Sequence, residues 1–176
     1  VKLKAILSSL TLMKNEDGLL PFSNEVSNEG TVAVIGDIPI SQDDFINAFG
    51  IDRERLVFAR GYRLGNKSDS ELISEAKEAV KNSSLALVFL SDEDLSDDFS
   101  RTLSSGQIAL LYELSEYKNK LVALINTKDT VDVSFDCYVS SLILLPRVSN
   151  NSIYALGMTV RGEVSPEGRL TKTFYD

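Results

Sequence analysis

The sequence predicts a three-layer α/β/α sandwich: a mostly parallel sheet of about six strands, including one antiparallel edge strand, with helices on both faces. Three observations predict it. Short apolar runs rich in Val, Ile, Leu and Phe alternate with segments of helical period. The central run, Leu85 to Leu90, is apolar at consecutive positions, as a strand buried on both faces must be. The segments between runs are long enough for helical crossovers, which join parallel strands. A chain of 176 residues suits one such domain.

Each element follows from a local pattern. Residues 1–30 are expected to form an N-terminal helix and linker arm packed on the sandwich domain of residues 31–176. Leu3 to Met13 carries the helix, and Leu19-Leu20-Pro21-Phe22 is an apolar anchor after a Glu16-Asp17-Gly18 turn. Thr31 to Ile35 is a short buried strand ending at Gly36-Asp37. Ser41 opens a helix with Phe45, Ile46 and Phe49 on one face, and Gly50 is placed as its C-terminal cap. Leu56 to Ala59 reads as the next strand. Ser68 and Glu71 have capping-box spacing ahead of Leu72, Ile73, Ala76, Ala79 and Val80. Ser104 and Gln107 repeat that spacing ahead of Ile108, Leu111 and Leu114. Leu121 to Ile125 and Leu142 to Leu145 are further strands, a short helix is expected near Asn151 to Met158, and the alternating Leu170 to Phe174 suits an edge strand.

Composition excludes several chemistries. There is no histidine, hence no Ser-His-Asp or Cys-His catalysis and no imidazole metal ligand. The single Cys137 allows no internal disulfide. A formal net charge of −8 opposes binding to phosphate backbones or anionic membranes. The longest apolar run is far shorter than the roughly 20 residues of a membrane span. The chain begins at Val1 rather than Met, as expected of a fragment or a processed product.

In open α/β sheets ligands bind at the carboxyl ends of the strands. The most unusual of those ends is Ser91 to Arg101, where Asp92, Glu93, Asp94, Asp97 and Asp98 crowd together. Three readings stand for this loop. Crowded carboxylates raise one another's pKa, which suits a general acid/base. Clustered oxygens suit a hard cation, although Asp97 stands where an EF-hand needs Gly. A solvated acidic bend needs no chemistry at all. Elsewhere, Asp37, Asp92 and Thr127-Lys128 faintly suggest a phospho-acceptor domain, Ser104-Ser105-Gly106 an anion-binding helix start or a plain cap, and Tyr62 a sugar-stacking ring or a residue of the partial core or rim. Gly36 has no companions for a nucleotide-binding glycine motif.

Four segments carry a resemblance. Leu10-Thr11-Leu12-Met13-Lys14-Asn15-Glu16-Asp17-Gly18-Leu19-Leu20-Pro21-Phe22 resembles the "LLKN…LLPL" segment that opens the C-terminal α/β sandwich of glycoside hydrolase family 3. Val32-Ala33-Val34-Ile35-Gly36 matches its "VAVIG" strand, and Phe58-Ala59-Arg60-Gly61-Tyr62 is similar to its "Y..GY" segment. Ser165-Pro166-Glu167-Gly168-Arg169-Leu170-Thr171-Lys172-Thr173-Phe174 is similar to its closing "NPSGRLP.TF". The four stand in family order and cover nearly the whole chain.

The resemblance implies a relative of retaining β-glycosidases, acting on β-glucosides, β-xylosides and related glycans. It implies that the nucleophilic Asp belongs to an N-terminal (β/α)8-type barrel, on the same or a companion polypeptide, and that the isolated sandwich is inactive. It places the acid/base on the loop after the third strand of the sandwich, before an "EG.DR..L.LP..Q" motif. Counted back from Gln107, the motif's Asp falls on Asp97, its Arg on Asp98, and the acid/base on Glu93 or Asp94. Asp97, Asp98, Arg101 and Tyr62 are the implied substrate-binding candidates. No metal and no cofactor is expected, and the partners are the barrel and a β-glycan or oligosaccharide. The sequence departs from the family pattern at Asp98, a charge reversal, and at residues 146–155, where the family has a Gly-rich "PG..GG.A" stretch. A noncatalytic interaction or carbohydrate-binding module built on the same sandwich is the alternative.

Overall fold

The computed structural model describes residues 10–22, 29–38, 40–63, 67–91, 103–127, 132–145, 149–166 and 168. Six strands form one sheet: β1 (Thr11–Asn15), β2 (Val32–Gly36), β3 (Leu56–Ala59), β4 (Leu85–Ser91), β5 (Leu121–Asn126) and β6 (Ser141–Leu145). Their order is β1-β6-β5-β4-β2-β3. Among the described strands only the β1–β6 pair is antiparallel. The α-helices are α1 (Gln42–Phe49), α2 (Ser70–Lys81), α3 (Ser105–Leu114) and α4 (Asn150–Val160).

The alternation of side chains along a strand divides the core in two. Ala33, Ile35, Ala86, Val88, Leu90, Ala123 and Ile125 face α2 and α3, whose Ala76, Val80, Leu110, Leu111 and Leu114 are buried against them. Val32, Val34, Leu85, Leu87, Phe89, Val122 and Leu124 face α1 and α4. There Phe45 stacks on Phe49 with ring centroids 4.2 Å apart and meets Phe58 and Phe89 edge-on at 5.8 and 6.0 Å. Helices α1 and α4 approach closely because Gly157 has no side chain: a Cβ there would lie 2.2 Å from the Ala48 carbonyl oxygen. The Arg161 guanidinium donates to that same oxygen at 2.8 Å and so closes the crossing.

Several local expectations hold. Ser41 caps α1 by accepting from the Asp44 N–H, and Gly50 closes it in the left-handed region. Ser104 caps α3 by accepting from the Gln107 N–H. The expected short helix becomes α4, started by a reciprocal Ser149–Ser152 capping box in the stretch that replaces the Gly-rich family segment.

Two expectations are corrected. Residues 11–13 belong to strand β1, not to a helix running to Met13. The strand β6 is fully buried and would otherwise leave the backbone groups of its free edge without partners, a cost that outweighs the helical period of the first residues. Pairing in the register Thr11↔Leu144 to Asn15↔Ser141 satisfies them. Asn15 then fastens the following turn, donating to the Leu20 carbonyl at 2.8 Å and accepting from the Leu20 N–H at 3.0 Å and the Ser141 hydroxyl at 2.8 Å. Beyond it, hydrogen bonds from Lys118 and then Lys14 hold the Glu16 carboxyl below its ordinary pKa. The second correction concerns α2, whose cap is Asp69 rather than Ser68. Its carboxylate accepts from the Glu71 and Leu72 N–H groups and from Arg63 at 2.9 Å. A carboxylate gains from the helix dipole as well as from the guanidinium, and a hydroxyl does not. The Leu72 N–H and then Arg63 keep the Asp69 carboxyl below its usual range. The edge strand expected at Leu170 to Phe174 and the helix residues before Leu10 lie outside the described residues.

Candidate functional site

The strand order reverses direction at β2, since β3 lies on one side of it and β4 on the other. The carboxyl ends of β2 and β4 flank this reversal, the position at which ligands of open α/β sheets bind. Three segments meet there. Gly36, the last residue of β2, pairs with Phe89 of β4. Tyr62, just beyond β3, is 1% exposed and donates its hydroxyl to the Phe89 carbonyl at 3.0 Å. Ser91, the last residue of β4, is held from α3 by Gln107.

The Gln107 side chain is fully buried. Its Oε1 accepts from the Ser91 N–H at 3.0 Å, and its Nε2 donates to the Ser91 carbonyl at 2.9 Å and to the Ser104 Oγ at 3.3 Å. The spacing from Ser104 suggested a capping box. Only the hydroxyl half of that box is made, at 3.4 Å from the Gln107 N–H, and the amide works across the fold instead. The available signal is a Gln in the first turn of a mostly apolar helix, soon after the acidic loop.

Beside these segments lies an open pocket of about 330 Å³ at the ends of β2 and β3, lined among others by Gly36, Ile38, Ser41, Phe45, Phe58 and Arg60. Its wall mixes apolar side chains with the polar groups of Ser41, Gln42 and Arg60. The Ser41 hydroxyl is occupied, donating to Asp44 at 2.7 Å. No pair of acid and nucleophile converges among these lining residues. Among all described residues, no group of three His, Cys, Asp or Glu side chains is placed to hold a metal ion.

Of the catalytic and substrate-binding candidates named from the sequence, Tyr62 is described, and it lies in the core. Its ring offers no face for stacking in this chain. Converting it to phenylalanine removes one buried donor from the Phe89 carbonyl and is expected to cost about 1–2 kcal/mol. A urea melt checks this, and an unchanged midpoint would show that the bond contributes nothing. Glu93, Asp94, Asp97, Asp98 and Arg101 lie outside the described residues, as do Asp92 and Lys128. The structure places the points where their segment departs and returns, Ser91 and Leu103.

The fold is that of an α/β sandwich domain, and no complete catalytic pair stands among the described residues. The glycosyl hydrolase family 3 C-terminal domain matches residues 10–176, and the chain belongs to this family. It is 32% identical, over 97% of its length, to the thermostable beta-glucosidase B of Acetivibrio thermocellus, of which it covers 25%. It is 24% identical, again over 97% of its length, to an exo-alpha-(1->6)-L-arabinopyranosidase of Bifidobacterium longum, of which it covers 26%. The chain thus spans about a quarter of the curated relatives it matches. The crystal structure of a Bifidobacterium adolescentis GH3 beta-glucosidase has the same fold, with a TM-score of 0.77 and 24% identity over 93% of this chain and 27% of that one.

Proposed function

We propose that this chain is the C-terminal domain of a retaining β-glycosidase, and that it lends an acid/base carboxylate, Glu93 or Asp94, to an active site completed by an N-terminal barrel. The observation that carries the reading is the position of the acidic segment. It leaves β4 at the end of Ser91, beside the point where the strand order reverses. Its crowded carboxyl groups suit a proton donor. The chain's share of about a quarter of its relatives supports a companion domain that completes the site. Retaining hydrolysis needs two carboxyl groups about 5–5.5 Å apart across the scissile bond. The second of these belongs to the barrel, so the isolated chain is inactive.

Two measurements test this. The isolated chain should not release aglycone from aryl β-glucosides or β-xylosides above a blank, and turnover that survives repurification contradicts the division of labour. In the full-length protein that carries this chain, Glu93→Gln or Asp94→Asn should slow hydrolysis of a phenyl β-glucoside by roughly 10²–10³-fold, the range of general-acid catalysis. A dinitrophenyl β-glucoside, whose leaving group needs no proton, should be far less affected. The reversal to Asp98 favours the noncatalytic alternative; an equal loss on both substrates, or none on either, is the result that alternative requires.

A further inference from the structure

We propose that Gln107 is a positioning residue for the acid/base, acting through the backbone of Ser91. This rests on the reading given above. Along β4, each residue from Leu85 to Phe89 has a registered partner on β2, and the pairing stops at Gly36↔Phe89, two residues short of Ser91. On its other side Ser91 is in register with Asn126 of β5. The Gln107 amide offers Ser91 a donor and an acceptor together, as a neighbouring strand would. A primary amide matches both backbone groups in one plane, which a hydroxyl or an ammonium cannot do.

The same amide reaches the Ser104 hydroxyl, the N-cap of α3. One side chain therefore joins the residue from which the acidic segment departs to the helix cap at which it returns. Its burial shields these bonds from competing water. Helix α3 is independently capped by Ser104, and its Leu110, Leu111 and Leu114 are buried against the sheet. The side-chain amide is thus not required to start or to dock the helix. What it controls is the angle and height at which the chain leaves β4. Displacement of a reacting group by about 1 Å costs roughly 10²-fold in rate.

The test uses the full-length protein with phenyl and 2,4-dinitrophenyl β-glucosides. Gln107→Leu should lower kcat/KM on the phenyl glucoside by roughly 10–100-fold and leave the dinitrophenyl glucoside within about threefold, the pattern of a misplaced proton donor. Gln107→Glu keeps the acceptor for the Ser91 N–H and regains the donor only when its carboxyl is protonated. Its activity on the phenyl glucoside, relative to the parent protein at each pH, should therefore recover as the pH falls. A structural role alone would lower both substrates together at every pH, and that result overturns the inference. If Gln107→Leu does not accumulate as folded protein, the ratio of the two substrates across the pH profile of Gln107→Glu decides. Glu93→Gln and Asp94→Asn are measured alongside. A leaving-group split in one of them, with none in either Gln107 variant, overturns this inference alone; no split in any of the four removes the acid/base reading and this inference with it.

Discussion

Gly36→Ala is expected to destabilise the domain by about 3–5 kcal/mol, a large share of the roughly 5–15 kcal/mol that holds a domain folded. Two costs add at this position. The residue has φ +110°, outside the regions where a residue with a Cβ is comfortable, which costs roughly 1–3 kcal/mol. The added Cβ would also lie 2.2 Å from the Phe89 carbonyl oxygen, and backbone in the middle of a sheet cannot turn aside as a side chain can. That oxygen accepts the Tyr62 hydroxyl as well, so any retreat of β4 disturbs a second bond. Gly50→Ala is the comparison. It shares a positive φ of 63° but meets nothing nearer than the end of Arg161 at 3.8 Å, so only the backbone cost of about 1 kcal/mol remains. With roughly 2–4 °C per kcal/mol for a domain of this size, Gly36→Ala should lower Tm by about 6–20 °C. Equal melting temperatures for the two variants would mean that the close approach of β2 to β4 is relaxed in solution.

Phe45→Ala should cost about 3–5 kcal/mol, the range for removing a buried aromatic ring. Phe45 is fully buried and touches three other rings, one stacked and two edge-on. It joins α1 to the sheet. It also forms a wall of the open pocket at the ends of β2 and β3, so its removal enlarges a space that already exists. The surroundings therefore have little to gain by collapsing inward. Phe45→Leu should recover more than half of the loss, because most of the volume returns while the ring contacts do not. Denaturant melts of the two variants read this directly. A loss under about 1.5 kcal/mol for the alanine variant would place the anchor of α1 elsewhere.

The candidate site was legible in part. The end of the sheet from which the acidic segment departs was readable, because alternating strands and helices put the carboxyl ends of a parallel sheet on one side, and that segment follows a strand that is apolar on both faces. The role of Gln107 was not readable. Its spacing from Ser104 is that of a helix cap, and the backbone it actually serves is 16 residues away. Tyr62 was ambiguous for a similar reason. Nothing near it in the chain reveals that the Phe89 carbonyl, 27 residues on, waits for its hydroxyl.

The strands β2 to β6, helices α1 to α4 and the caps at Ser41, Gly50 and Ser104 could all be read from the chain, because each depends on hydrophobic period or on hydrogen bonds within a few residues. The edge strand β1 was a different matter. Residues 3–13 carry a helical spacing of Leu3, Ile6, Leu7, Leu10 and Met13, and locally nothing opposes it. What makes Thr11–Asn15 a strand is the open edge of β6, more than 120 residues further along, whose backbone groups need partners. The choice of Asp69 over Ser68 as the cap of α2 is local by contrast, since Arg63, six residues back, and the dipole of α2 itself both act on the carboxylate. Local patterns report the preferences of a segment, and the hydrogen-bonding demands of buried neighbours decide between preferences that are nearly equal.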